Sequence, residues 1–242
     1  DVSFATNISF TTTDNLVKEI ANGDKYIWGA GYGIPYNNLV RFQEGESPGI
    51  FWGYIADGIF QNQSEVDSHA TQPNAQPGDI RFVDVNGDGV VNADDRTKIG
   101  DPFSDFQIGW DFNLNVYNFD LSVRTYGTFG NDIFRGYERN LNYTNKPVSI
   151  LARWTGEGTS NFEPRATFID SNNNVRPSTR YVEDGSYFKI KNVQVGYNFN
   201  VSNSKSLDAV RLYLQGNNLM TFTDYTGYDP EMSYGVLDTG ID

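Results

Sequence analysis

Residues 106–129 read FQIGWDFNLNVYNFDLSVRTYGTF. Every second position is apolar: Phe106, Ile108, Trp110, Phe112, Leu114 and Val116 on one side, Gln107, Gly109, Asp111, Asn113 and Asn115 on the other. After a break at Tyr117-Asn118 the alternation restarts, with Phe119, Leu121, Val123 and Thr125 against Asp120, Ser122 and Arg124. A period of two marks an extended strand with one apolar and one polar face. The stretch therefore predicts a hairpin of two long strands joined by a tight turn. Each strand holds about ten residues, the length a tilted strand needs to cross a bilayer.

The same alternation recurs outward from this hairpin. Val2, Phe4, Thr6, Ile8 and Phe10 alternate with Ser3, Ala5, Asn7 and Ser9; Val193, Val195, Tyr197, Phe199 and Val201 alternate with Gln194, Gly196, Asn198 and Asn200; Val210, Leu212 and Leu214 alternate with Arg211, Tyr213 and Gln215. With the aromatic, Gly-rich segment 49–60, read as a strand near a membrane interface, these make about six or seven strands. One short helix is expected around 147–154, PVSILARW, because Pro147 suits a first turn. The connectors fall into two classes. Tyr117-Asn118 and 202–207 are short, whereas 61–104 and 130–184 are long, polar and rich in Asn, Asp, Gly and Pro. Short turns at one end and long loops at the other is the bacterial outer-membrane barrel pattern. Segment 11–48 fits it poorly, being too long for a plain periplasmic turn. The expected fold class is all-β: an incomplete portion of an antiparallel transmembrane β-barrel with long extracellular loops.

Inside the first long connector, residues 84–95 read DVNGDGVVNADD. The pattern D-x-[DN]-x-[DN]-G places oxygen donors at alternate positions before a Gly that permits a sharp turn, as a calcium loop requires. Asp84, Asn86 and Asp88 fill positions one, three and five, and Gly89 the turn. Val90 would offer its carbonyl, Asn92 could act through water, and Asp95 stands where the standard loop has Glu. A solvated Asx turn is the plainer alternative. The loop is single, and its flanks, GDIRFV and RTKIGDPF, do not read as long helices, so a calcium sensor pair is not indicated. The expectation is a structural calcium staple within 77–102.

The net charge of −13 disfavours nucleic acid as a partner, since phosphate binding needs clustered Lys and Arg. With no Cys and one His, His69, read as a solvated loop residue, nucleophile–base catalysis is nearly excluded. GAGYG (29–33) lacks the spacing and the Lys-Ser/Thr of a phosphate loop. Nothing pairs two of the 31 acidic residues for glycoside hydrolysis.

Four segments carry a family resemblance: GYIADGIFQNQSEV (53–66), PGDIRFVDVNGDGVVNADDRTKIGDP (77–102), EDGSYFKIKNVQVGYNF (183–199) and NNLMTFTDYTGYDPEM (217–232). In this order they resemble the C-terminal portion of the SusC-type (SusC/RagA-like) TonB-dependent transporters of Bacteroidetes outer membranes. The resemblance implies, for residues 1–242, part of a plugged barrel of about 22 strands. The plug, the TonB-contacting segment and the final strand would then lie outside this sequence. It further implies a SusD-like surface lipoprotein as partner, contact with TonB through an upstream part, glycan or peptide as cargo, lipid around the barrel, and no enzymatic activity. The expected location is the outer membrane of a Gram-negative, Bacteroidetes-type bacterium. The metal ligands carried over are Asp84, Asn86, Asp88, Val90 and Asp95. Substrate-binding residues are not indicated. The competing reading is a soluble, secreted, calcium-stapled β module that binds carbohydrate or a partner protein.

Overall fold

The computed structural model describes residues 1–29, 38–136, 148–201, 207 and 209–231. Most of GAGYG, Pro147 and the 202–207 connector, Leu207 apart, lie outside these. In chain order the strands are β1 (Val2–Thr12), β2 (Tyr26–Trp28), β3 (Val40–Gln43), β4 (Ile50–Gly53), β5 (Ala56–Ile59), β6 (Ile80–Phe82), β7 (Thr97–Gly100), β8 (Phe106–Val116), β9 (Phe119–Phe129), β10 (Asp132–Phe134), β11 (Val182–Asp184), β12 (Tyr187–Phe199) and β13 (Val210–Thr223). The described α-helix is α1 (Gln63–Ser68). The chain divides into two compact units.

The first unit, Asp1–Asp14, Phe103–Asn131 and Asp184–Pro230, contains the long strands. They form one sheet in the order β1-β8-β9-β12-β13, every neighbouring pair antiparallel. The hairpin is as expected: Val116 faces Phe119 across the two-residue turn, and Tyr117 takes a φ of 53°. Among the long strands the spatial order is the chain order, so the sheet is a meander. β1 pairs with β8 from Val2↔Val116 to Thr12↔Phe106. Everything between Thr12 and Phe106 is therefore a single connection at one end of the sheet. This corrects the reading of 49–60 as an interface strand. It splits into the buried β4 and the short β5, which belong to separate small sheets. Segment 11–48 ceases to be an overlong periplasmic turn, because beyond Thr12 it belongs to that same connection.

Registers put one continuous apolar face on the sheet. Phe4, Leu114, Leu121, Val195 and Leu214 line up across all five strands, as do Ile108, Gly127, Phe188 and Phe222 across the four strands from β8 to β13. The opposite face carries Asp111 bonded to Arg124 at 2.8 Å and Arg211 Nε bonded to Asp120 at 3.1 Å. The apolar side chains are uncovered: Phe4 is 72 % and Leu214 80 % exposed. In water each would forgo about 1.5–3 kcal/mol of burial; in hydrocarbon that deficit disappears. Aromatic rings mark both ends of the apolar face. Phe106 packs with Phe10 and Phe129 at 5.5 and 4.9 Å between ring centroids, and at the turn end Phe119 meets Tyr197 at 4.7 Å. Ten strand steps separate the two rows, about 33 Å along the strand, or about 25 Å along the membrane normal at a tilt of about 40°. That matches the apolar band between the aromatic girdles of a membrane barrel.

One irregularity keeps charge off this face. Lys189, Lys191 and Val193 share parity, so an unbroken β12 would direct both lysines into the apolar side. The register shifts between Ile190 and Asn192, leaving Lys191 as a bulge. Ile190 then takes the apolar face opposite Thr125, and Lys189 turns to the polar face and pairs with Asp229 at 2.5 Å.

The second unit comprises Asn15–Pro102, Asp132–Glu183 and Glu231–Asp242, the last of these outside the described residues apart from Glu231. The long connectors are not plain loops. They hold the sheet β2-β3-β4-β7, the pairs β5-β6 and β10-β11, and two apolar clusters: Leu39, Val40, Phe51, Phe134 and Tyr181; and Ile80, Phe82 and Val91. The helix expected near 147–154 is a 3₁₀ turn, Val148–Ala152, and the α-helix lies instead at Gln63–Ser68. Asn62 caps it by accepting the Glu65 N–H, the N-x-x-E signature that the sequence displays. His69 is not a solvated loop residue: Nε2 lies 2.9 Å from the Phe82 carbonyl and the ring packs edge-on to Phe60 at 5.3 Å.

Candidate functional site

The DVNGDGVVNADD loop joins β6 to β7, so strands flank it on both sides, as its neighbouring sequence suggests. Both ends are fastened. Val91 packs with Ile80 and Phe82. Thr71 exchanges backbone hydrogen bonds with the loop, donating to Gly89 at 2.8 Å and accepting from Val91 at 2.9 Å.

The side chains at these positions organise the loop by hydrogen bonds to its backbone. Asp84 accepts the Gly87 and Gly89 N–H groups at 2.8 and 2.7 Å. Asn86 accepts from Asp88 N–H at 2.9 Å and donates to the Asp88 carboxylate at 3.0 Å. Gly89 has φ +86°, a conformation open to Gly at no steric cost. Asp95 is fully buried and receives the N–H groups of Val85, Asn86 and Asn92 at 2.8, 3.3 and 2.7 Å. Asn92 caps the 3₁₀ turn Ala93–Asp95, and its side chain donates to the Val90 carbonyl at 3.3 Å. Burial pushes the Asp95 carboxyl up, but the three N–H groups and a hydrogen bond from the Asp84 carboxyl outweigh it, and the net displacement is downward.

Asp84 and Asp95 thus meet, as do Asn86 and Asp88. Among the described residues no three acidic or histidine side chains converge as a ready cation cage. The chemistry of the donor set still suits a hard cation: three carboxylates, one amide oxygen and one carbonyl, with no nitrogen or sulfur donors.

A polar network absent from the sequence reading holds the strand that leads into the loop. β6 pairs with β5 on one side. On the other, side-chain amides replace a strand: Asn174 accepts the Ile80 N–H at 2.7 Å, Gln72 donates to the Ile80 carbonyl at 2.8 Å, and Gln72 accepts the Phe82 N–H at 2.9 Å. Asn172 joins Gln72 at 2.7 Å and Asn174 at 2.8 Å. Asp79, fully buried, anchors the network through Asn174 at 3.1 Å and Arg165 Nε at 2.8 Å. The only sequence trace is the Asx-rich run DSNNN at 170–174, which by itself reads as a loop.

Replacing Asp95 with Ala is expected to orphan the Val85, Asn86 and Asn92 N–H groups, at about 1–3 kcal/mol for each group that stays buried. Limited proteolysis should then cut within 84–95 even with calcium in excess. Protection equal to the parent protein would show that Asp95 does not hold the loop closed.

No described helix is long and apolar enough to cross a membrane; the strands of the meander have the length and facing to do so. Sheet, girdles and polar reverse face together define a segment of a transmembrane β-barrel. Its relatives agree. TonB-dependent receptor P3 of Formosa agariphila is 32% identical over 247 residues, which cover 97% of this chain and 24% of that protein. TonB-dependent receptor SusC of Bacteroides thetaiotaomicron is 24% identical over 242 residues, 98% of this chain and 23% of that protein. The RagAB peptide importer in its closed-closed state shares the fold, with a TM-score of 0.72 at 19% identity over 100% of this chain and 26% of that one. In the open-open state the TM-score is 0.71 at 17% identity, over 100% of this chain and 25% of that one. No family model matches. The chain belongs to the TonB-dependent receptors of the SusC type, and it spans about a quarter of the length of the curated relatives it matches.

Proposed function

We propose that this chain is the C-terminal portion of an outer-membrane TonB-dependent transporter, and not an enzyme. The whole protein would import glycans or peptides beneath a SusD-like surface lipoprotein, with energy supplied through TonB by a part of the protein outside this sequence. The observation that carries the reading is the uncharged apolar face between two aromatic rows, which needs hydrocarbon to cover it. The likeness to receptors named for TonB dependence and to a peptide importer supports it. In this reading the sheet is barrel wall and its polar face lines the lumen. Residues 77–102 belong to an extracellular connection. The secreted-module alternative leaves that face bare in water.

Fractionation of the native source, blotted with an antibody to this segment, tests the assignment. The expected signal sits in the outer membrane, needs detergent for release and migrates well above 27.2 kDa. A soluble species at that mass would overturn it.

Calcium is proposed as the staple, with Asp84, Asn86, Asp88, the Val90 carbonyl and Asp95 as its holders. The ion would neutralise the facing carboxyls and stiffen the loop. Chelation is expected to raise proteolysis within 84–95 while the barrel persists, read by heat-dependent migration in SDS. Unchanged cleavage with and without chelator would remove the metal from the account; complete unfolding would refute the clip role.

A further inference from the structure

Arg41, in β3, lies between two aromatic rings. Its Cζ is 3.7 Å from the Tyr26 centroid and 3.7 Å from that of Trp52, with Trp28 at 5.6 Å. Arg96 stands 5.0 Å from the Trp28 centroid. Its guanidinium donates to the Asn38 and Trp52 carbonyls at 2.5 and 2.8 Å, which fixes its place.

Neither arginine has a carboxylate partner among the described residues. The ion pairs engage Arg81, Arg124, Arg135, Arg165, Arg180 and Arg211 instead. The Nε atoms of both Arg41 and Arg96 are buried without a hydrogen bond. Segment 30–37, AGYGIPYN, which joins β2 to β3, contains no acidic residue. Acid is not scarce in a chain with 31 Asp and Glu against 18 Lys and Arg. Two half-buried guanidiniums left side by side repel each other. Burial lowers the Arg96 pKa and the Arg41 charge lowers it further. Such a pair is costly unless something anionic joins it.

The geometry says which kind of anion. Tyr26 and Trp52, each 3.7 Å from Cζ, crowd the guanidinium carbon, so a partner would meet Arg41 through its N–H groups, the planar fork that bonds carboxylate or sulfate oxygens. Tyr26 is 41 % exposed and Trp28 and Trp52 are partly so, which leaves aromatic surface for a ligand body to lie against. Arg96 directly follows Asp95, so closure of the loop fixes the backbone that carries it.

We propose that Arg41 and Arg96, walled by Tyr26, Trp28 and Trp52, form a binding site for an oxyanion, a carboxylate or a sulfate ester, carried on a ring-shaped ligand. The assignment stands on these residues alone and holds whether or not the protein transports. Its test is tryptophan fluorescence and calorimetric titration of the full-length protein in detergent, with glucuronate, glucose 6-sulfate and glucose as probes. The two anionic probes are expected to bind saturably and glucose not; a response to only one of them identifies which oxyanion the site takes. Arg41→Gln and Arg96→Gln should each weaken binding by about tenfold or more, the loss of a charge-assisted pair. Lys98→Gln, whose ammonium is already held by Glu46 and Asp101 at 3.0 Å each, should bind as the parent does. Because an arginine variant can misfold, the parent protein supplies an independent reading: added NaCl should weaken binding of whichever anionic probe responds. Binding of glucose equal to that of both anionic probes, salt-independent binding of the anion that responds, or folded arginine variants with parental affinity would each overturn the site.

Discussion

Phe112→Arg is expected to cripple assembly of the barrel segment, whereas Asn113→Arg, one residue along the same strand, should be tolerated. Phe112 lies near the middle of β8, opposite Thr6 on one side and Val123 on the other. A cation on the lipid face near the bilayer midplane costs about 2–4 kcal/mol. That is about 1.5–3 orders of magnitude in the folded-to-unfolded ratio. Asn113 pairs with Ala5 and Ser122 on the polar face, where an added cation meets water and other charges. The yield of heat-modifiable protein in the outer membrane measures both. The contrast separates the two leading readings by sign. A water-exposed module would be unharmed, or made more soluble, by Arg at 112, so equal yields from the two variants would count against the membrane face.

The second large effect is expected at Asp79. Its carboxylate is fully buried and holds Arg165 by both oxygens, at 2.8 and 3.3 Å, while accepting the Gln76 N–H at 2.9 Å. Asp79→Ala would strand Arg165 and release Asn174 from its anchor. Removing one member of a buried ion pair costs about 3–5 kcal/mol. The consequence should reach the calcium-type loop, because the Ile80 and Phe82 groups that Asn174 and Gln72 satisfy lie immediately upstream of it. Hydrogen exchange would show it as faster exchange at Ile80 and Phe82, with β8 and β9 unchanged. Asp79→Asn, which retains the shape and part of the hydrogen bonding, should fall between. An Asp79→Ala protein with parental exchange at Ile80 would mean that the network is not what holds β6.

Much of the barrel segment could be read from the chain, because a transmembrane strand writes its facing into every second residue. The β8–β9 hairpin, β1 and the alternating part of β12 announce themselves in this way. The reading failed where the period broke for a physical reason. Lys189 and Lys191 interrupt the pattern below Val193 because a bulge, invisible to strict alternation, changes which residue faces lipid. Segment 49–60 misled because aromatic and Gly-rich composition resembles an interface strand, whereas β4 places Ile50 and Phe51 in the buried core of the second unit. The turn at 84–95 was legible as a spacing, since the side chains that hydrogen-bond its backbone are local. Its support was not: Gln72 and Asn172 lie 100 positions apart, and Asp79 and Arg165 lie 86 apart. Arg41 and Arg96 likewise carry no local mark, since their significance lies in partners they lack.

The direct pairing of β1 with β8 also orders events in time. β8 and β9 meet across two residues, and such a hairpin closes in microseconds. β1 must find β8 across about ninety residues, and loop-closure entropy charges each doubling of that span about 0.6 kcal/mol. If Asn15–Pro102 condenses first around Leu39, Val40 and Phe51 and around Ile80, Phe82 and Val91, the two ends of that span are drawn in before the strands meet, and the search shortens. The large insertion is then a folding aid to the wall it interrupts. Slow assembly of the β1 edge should follow from any lesion in the cores around Phe51 or Phe82, without a single contact in the barrel being changed.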